Sequence, residues 1–105
     1  MKLPARAAAT AVLGLALHAP ACAAVHTIVI EGLRFVPQTL EVERGDTVVW
    51  RNKDPFPHNA RADKGGPASP DIAAGAAWTF RAAKRGRHAY LCTLHRTMTG
   101  VLVVK

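Results

Sequence analysis

Residues 87–98 read RHAYLCTLHRTM, a short strand pattern that runs directly into a polar loop. Successive side chains of a β-strand point to opposite faces, so His88, Tyr90 and Cys92 share one face. If the Tyr90 ring lies in a core, the Cys92 thiol lies inside as well, at the end of the strand. This stretch therefore predicts a β-rich fold with a shielded thiol at one end.

The sequence on either side of this run repeats the strand pattern. Runs rich in β-branched residues or with apolar–polar alternation are bounded by Gly and Pro, and no segment after the first 23 residues shows a convincing helical period. Residues 52–76, rich in Gly and Pro, read as a long loop. The pattern predicts a single all-β domain, an antiparallel sandwich or barrel. Its expected strands lie near residues 25–30, 39–43, 47–50, 78–80, 87–92 and 101–104.

The first 23 residues predict a secretory signal rather than part of the domain. Lys2 and Arg6 form a positive start, residues 7–17 are apolar and uncharged, and an Ala-Cys-Ala run follows shortly afterwards. This order is typical of a signal peptide cut after Ala23, and the apolar run is shorter than the roughly 20 residues that span a bilayer. A retained membrane anchor and a lipid anchor on Cys22 are the alternatives.

Without this segment the domain spans residues 24–105. It carries 12 Lys and Arg against 7 Asp and Glu, because Lys2 and Arg6 are removed from the 14 basic residues, and its net charge is +5. This net positive charge has two interpretations: a well-solvated surface, or electrostatic steering of the protein toward an acidic partner. With a single Tyr and no interleaving of aromatic and basic residues, nucleic acid is not expected as a partner. A small exported domain usually needs a disulfide, a metal or oligomerisation for stability, and its one cysteine excludes an internal disulfide. We therefore expect a metal site in a monomer without a membrane span.

Three potential ligands lie in the polar loop at even spacing. Cys92, His95 and Met98 form a C-x2-H-x2-M pattern that contains the only Cys and the only Met of residues 24–105. Copper that alternates between two oxidation states prefers a thiolate and imidazoles, and the trigonal His₂Cys set with a distant axial Met is the blue-copper arrangement. The pattern predicts one type 1 copper ion, held by these three residues and by a second histidine.

The second histidine is predicted to be His58. His26 lies at the start of the domain, and His88 is four residues from Cys92 along the strand, about 13 Å, which is too far for both to bind one ion. His58 follows a strong strand, and Pro55 and Pro57 stiffen its approach.

These motifs resemble the small cupredoxins, the plastocyanin, pseudoazurin and amicyanin group. The two-residue gap between His95 and Met98 is similar to the short ligand loop of amicyanin. The resemblance rests on residues 32–37, 45–50, 57–59 and 90–98.

The resemblance implies an eight-stranded Greek-key β-sandwich and a role in periplasmic electron transfer, not in catalysis. It also implies a hydrogen bond from Asn59 across to the Thr93 region. Leu94 and Arg96 stand where amicyanin-like loops carry prolines, so the docking surface differs from that pattern. We expect an apolar collar around His95, formed by Pro55, Phe56, Pro57 and Leu94. A redox protein such as a cytochrome or a dehydrogenase, acidic at its docking site, is the expected partner.

Three other functions fit the sequence less well than electron transfer. A zinc site would use carboxylates rather than a thioether, but Asp54 and Asp63 lack ligand spacing with the loop. A Cys–His nucleophile pair would need a cleft and an orienting group, and it leaves Met98 unexplained. A copper-binding or delivery protein without redox turnover would carry Met-rich or His-rich clusters, which the sequence lacks.

Overall fold

The computed structural model describes residues 22–105, and within this range it shows eight strands and no helix. The predicted signal lies outside the described residues, except for Cys22 and Ala23, which are exposed. Nothing helical in the described range has the length and apolar character needed to cross a bilayer. The strands are β1 (Val25–Ile30), β2 (Phe35–Val36), β3 (Thr39–Val42), β4 (Thr47–Asn52), β5 (Arg61–Ala62), β6 (Ala77–Arg81), β7 (Gly86–Cys92) and β8 (His95–Val104).

The strands form two four-stranded sheets, in the orders β2-β1-β4-β6 and β3-β8-β7-β5. The predicted all-β Greek-key sandwich is confirmed, but the expectation of purely antiparallel pairing is wrong. Strand β1 pairs with β4 in parallel, and β3 pairs with β8 in parallel. Parallel neighbours need a crossover connection, which the chain provides by leaving the first sheet after β2, forming β3 in the second sheet and returning as β4.

Alternate residues of each long strand fill the space between the sheets. The Trp50 ring of one sheet meets the Tyr90 ring of the other edge-on, with centroids 5.5 Å apart, and Phe35 packs on Tyr90 at 4.8 Å. Trp78 and Phe80 are half-buried against this core. These five aromatic side chains therefore form or adjoin the core between the sheets. The inward positions of the long strands include Ile28, Ile30, Val48, Trp50, Tyr90, Cys92, Leu102 and Val104.

The alternation of side chains along the strands also turns two polar residues inward, each at the end of its strand. Asn52 ends β4 and Cys92 ends β7, and both are fully buried. The Asn52 amide donates to the carbonyl oxygens of Phe56 and Ile72 at 2.9 and 3.0 Å, and its oxygen accepts from the Asp54 N–H at 2.9 Å. These bonds fold the segment after β4 over the end of the sandwich, where the predicted ligands lie.

Candidate metal centre

Cys92 lies where strand parity predicts. His88, Tyr90 and Cys92 alternate toward the interior along β7, and the Cys92 side chain has no exposed surface. Such burial would leave an unpaired thiol inert. The polar groups that surround its sulfur indicate a different role.

The segment after Cys92 is a distorted hairpin, not the open polar loop that the sequence predicts there. Cys92 pairs with His95 across a two-residue turn, while the preceding residue Leu91 pairs with Thr99. Between these two pairs, β7 advances by one residue and β8 by four, so residues 96–98 have no partner on β7. Extra residues in one strand bend it and redirect its side chains. This bulge leaves His95 exposed and turns Met98 into the buried core, three residues further on.

His58 reaches the same place from the other side. Its backbone makes an isolated two-way bridge with Ile72, and its side chain has no exposed surface. The His58 Nδ1 atom lies 3.7 Å from the Cys92 sulfur, and the His58 and His95 ring centroids are 5.1 Å apart. The structure therefore brings together three of the four predicted ligands and buries the fourth, Met98, in the adjoining core.

The spacing of these donor atoms fits a single metal ion. One donor atom each from His58, Cys92 and His95 lies within 4.8 Å of the other two. Nitrogen and sulfur donors about 2.0–2.3 Å from an ion, in trigonal arrangement, lie about 3.5–4.0 Å from one another. One thiolate and two imidazoles form the trigonal set that copper prefers, and a buried thioether is available beside them.

A carboxylate fixes the orientation of the His58 imidazole. The His58 Nε2–H donates to Asp54 Oδ2 at 2.9 Å, which leaves the Nδ1 lone pair free on the side of Cys92. The same carboxylate accepts the backbone N–H groups of Gly32 and Leu33 at 2.8 and 3.0 Å. Burial alone would raise the pKa of Asp54, but the bonds from Leu33, Gly32 and His58 outweigh it, so this pKa is lowered and the carboxylate stays charged.

Asn59 joins the two segments that supply the donors. Its backbone N–H points at the Cys92 sulfur at 3.4 Å, and its side-chain oxygen accepts the Thr93 N–H at 2.8 Å. Its side-chain nitrogen donates to Thr93 Oγ1 at 2.8 Å and to Asp71 Oδ1 at 2.9 Å. The hydrogen bond expected between Asn59 and the Thr93 region is confirmed. Bonds of this kind orient ligands and modify the electron density on a ligating sulfur.

The histidines set aside by sequence have other partners. His88 Nε2 bonds to the Lys84 carbonyl at 2.9 Å, and His26 Nε2 bonds to Asp46 Oδ2 at 2.9 Å. Asp63 is exposed and outside the cluster. The contact of Asp54 with His58 was not predicted, although a carboxylate four residues before a histidine in a proline-rich turn is a usable signal in the sequence.

Exposed apolar side chains lie near His95 and Met98. The Phe56 ring lies 5.7 Å from the His95 ring and 5.2 Å from the His58 ring, and Phe56 and Leu94 are 39% and 47% exposed. Leu33 and Val36, which were not part of the predicted collar, add exposed apolar surface beside the bulge that carries Met98. We call Leu33, Val36, Phe56 and Leu94 the apolar patch.

Comparison with known proteins decides the family. The family model described as a cupredoxin-like domain matches residues 5–104. The chain belongs to the cupredoxin-like family. Its cofactor, which the donor set fits, is one type 1 copper ion.

Some similar proteins are about as long as this chain, and another is several times longer. The chain is 31% identical over 107 positions to chloroplastic plastocyanin of Pisum sativum, an alignment that covers 79% of this chain and 64% of the pea protein, so it spans less than two thirds of that relative. It resembles the crystal structure of amicyanin from Paracoccus versutus, with 28% identity, a TM-score of 0.68, and 86% of this chain and 88% of that chain covered. It resembles the copper-containing nitrite reductase of Thermus scotoductus equally well, with 28% identity and a TM-score of 0.68, but the match covers 83% of this chain and 23% of the reductase.

Proposed function

We propose that this protein is an exported blue-copper electron carrier that exchanges single electrons with redox proteins. The proposed ligands are His58 Nδ1, the Cys92 sulfur, an imidazole nitrogen of His95 and the thioether of Met98. When bound, copper supplies the one-electron Cu(II)/Cu(I) couple. The observation that carries the proposal is the meeting of three donor atoms within 4.8 Å at a buried thiol.

The surrounding contacts explain how the site serves both oxidation states. Asp54 holds the His58 ring, and Asn59 holds both its own segment and the turn at Thr93. His58 and the segment that begins at Cys92 therefore move little when the charge of the ion changes, because hydrogen bonds tie both to the rest of the fold. Little rearrangement accompanies electron gain or loss, as rapid exchange requires.

The apolar patch is the proposed docking surface. A transient electron-transfer interface is small, and an exposed apolar patch that includes the Phe56 ring beside His95 brings a partner close to the copper without a large contact area. Arg96 is exposed beside His95, so a partner with acidic groups at its rim fits best. A cytochrome or a dehydrogenase with such a rim is the proposed partner, and this protein acts as a monomer.

The other functions fit the site less well. A delivery protein must release its metal to another protein, but three of the four proposed ligands here are buried, and one of these, His58, is fixed by a carboxylate. An enzyme needs a further substrate site, and the nitrite reductase that resembles this chain contains much more than the matching 23% of its length. Electron transfer needs only the copper site and the docking surface.

The proposed location is the periplasm. The support is the order of charged, apolar and small residues in the first 23 residues, which is typical of a secretory signal cut after Ala23, with residues 24–105 as the cupredoxin domain. Cell fractionation and the intact mass of the exported chain test this assignment. A chain found in the cytoplasm, or one with a lipid on Cys22, would replace it.

The copper form provides the test of the site. We expect an intense visible charge-transfer band, a narrow copper hyperfine splitting and one reversible one-electron wave in voltammetry. Cys92→Ala removes the band, while Cys22→Ala in the full chain leaves it unchanged. A colourless copper complex, or a coloured Cys92→Ala variant, overturns the proposal. Copper transfer to an apo-protein without any electron exchange would favour the delivery function.

A matched pair of variants tests the docking surface. Leu94→Ala removes an exposed apolar side chain beside His95, and Val25→Ala removes one that is 69% exposed at the start of β1, the other end of the sandwich. We expect Leu94→Ala to slow electron exchange with an acidic cytochrome at least about threefold without changing the visible band. Equal rates for the two variants would exclude the apolar patch as the docking site.

A further inference from the structure

A buried carboxylate lies at the end of the sandwich opposite the metal centre. Asp46, 5% exposed, precedes β4, whose six residues span about 20 Å toward the copper end. Its Oδ1 accepts the Ala24 N–H at 2.9 Å, and its Oδ2 accepts the Glu43 N–H at 3.0 Å and contacts His26 Nε2 at 2.9 Å. Its own backbone is fixed by bonds to Glu43 and Ala82. This carboxylate takes no part in the proposed electron transfer.

Ala24 is held on both sides of its backbone. Its N–H points at Asp46, and its carbonyl oxygen accepts the Thr47 N–H at 2.9 Å, which begins the parallel pairing of β1 with β4. Ala24 is also the first residue after the proposed signal cut. Hydrolysis of the Ala23–Ala24 peptide bond by a signal peptidase consumes one water and leaves a carboxylate on Ala23 and an amine on Ala24, which is protonated at neutral pH.

We propose that Asp46 is the binding site for the α-ammonium group of Ala24 in the processed chain. The inference rests on the proposed cut after Ala23. Before the cut, Ala24 offers a neutral amide N–H to the carboxylate. After the cut, the same nitrogen carries a full positive charge at the same place. A charge-assisted hydrogen bond is about twice as strong as a neutral one, so processing itself strengthens the closure of the sandwich at this end.

The carboxylate is charged at every pH relevant to an exported protein. Hydrogen bonds from Ala24, His26 and Glu43 lower the pKa of Asp46 to about 2. The other charged side chains that line this site are Glu43 and Arg44, which precede β4, and Arg81, at the end of β6.

Neighbouring charges act on the new ammonium group in opposite directions, and the charge in direct contact with it has the largest effect. Arg44 and Arg81 disfavour a further positive charge, whereas Glu43 and Asp46 favour it, and only Asp46 bonds directly to the Ala24 nitrogen. The pKa of the α-amino group is therefore raised in the folded state. The added stability is complete below the unfolded pKa of about 8 and is lost as the pH rises through the folded pKa.

The experiment compares two chains released from a cleavable fusion, one that starts at Ala24 and one that starts at Ala23. Each is prepared with Asp46 and with Asp46→Asn, and urea unfolding of the copper-free proteins is measured at pH 7 and pH 10. At pH 7 we expect the unfolding constant of the chain starting at Ala24 to be about fivefold lower than that of the longer chain. This difference disappears in the Asp46→Asn pair and shrinks at pH 10.

A second measurement needs no variant. Competitive labelling of the α-amino group with an amine-reactive reagent, followed by peptide mass spectrometry, gives its pKa in the folded processed protein. A pKa above about 9 supports the proposal, and the ordinary value of about 7.7–8.0 overturns it. Equal unfolding constants for the two chains with Asp46 intact also overturn it.

These results are separable from those for the proposed function. The first residue of the exported chain, determined by intact mass, reports the cut. The visible copper band reports the metal centre about 20 Å away, because the strand separates the two sites. A processed chain with a normal band and an ordinary α-amino pKa would refute only the role of Asp46.

Discussion

Replacing Asn59 by Ala removes the side chain that joins the two donor segments. Two bonds to Thr93, both 2.8 Å, and one to Asp71, 2.9 Å, are lost, while the backbone N–H that faces the Cys92 sulfur remains. A net hydrogen bond is worth about 1 kcal/mol, and the bond to Asp71 adds little because water replaces it at a side chain that is 56% exposed. We expect the free energy of unfolding to fall by about 2 kcal/mol, or roughly 8–16 °C in Tm for a domain of this size.

The assay is denaturant unfolding of the copper-free protein, followed by copper titration. The unfolding free energy should fall even without copper, because the lost bonds join protein groups. Copper affinity should fall about 10–100-fold, since the two donor segments are no longer held together. Asp71→Ala is the matched control and should cost less than about 0.5 kcal/mol. In a double-mutant cycle, Asn59→Ala and Thr93→Ala should show a coupling of about 1 kcal/mol. If Asn59→Ala costs no more than Asp71→Ala, the bonds to Thr93 do not hold the site together.

Two further predictions follow from the contacts. Asp54→Asn removes the charged acceptor of the His58 Nε2–H and should lower copper affinity about 10–100-fold in a competition titration, whereas Asp63→Asn, at an exposed acid, should leave it unchanged. Equal affinities for the two variants would show that the carboxylate does not orient the ring. Gly100→Ala places a methyl group on the Tyr90 ring, which lies directly over Gly100, and should lower the free energy of unfolding by about 1–3 kcal/mol in urea titration. A loss below about 0.5 kcal/mol would mean that the ring moves aside easily.

The sequence predicted those features that depend on local periodicity. The two-residue period of β7 places Cys92 inside, and strand rise excludes His88 from a site shared with it. The same reasoning failed for β5 and for the start of β8. β5 is only two residues long, and residues 95–98 carry no alternation because a bulge interrupts the pairing there. The parallel pairing of β1 with β4 was also missed, since it follows from the path of the chain between the two sheets.

The contacts of Asp54 show the limit of local reasoning in the site itself. Its bond to His58 spans four residues and left a signal in the sequence, but its bonds to Gly32 and Leu33 span 22 and 21 residues and left none. Together with the bond from His58, these distant bonds outweigh its burial and keep the carboxylate charged beside the imidazole. The same contacts hold Leu33 near the site, whereas the predicted collar contained only Pro55, Phe56, Pro57 and Leu94.

By itself the sequence determined the donor chemistry of this protein: one thiol, one thioether and a histidine at regular spacing, with a second histidine behind two prolines. It also determined an all-β domain, because strand and turn preferences act over a few residues. Only the tertiary structure decided that His58 Nδ1 meets the Cys92 sulfur, that Asn59 bonds to Thr93 and that Asp46 meets Ala24. Each of these contacts joins segments at least 22 residues apart, and such pairs form only when the two sheets close on a common core.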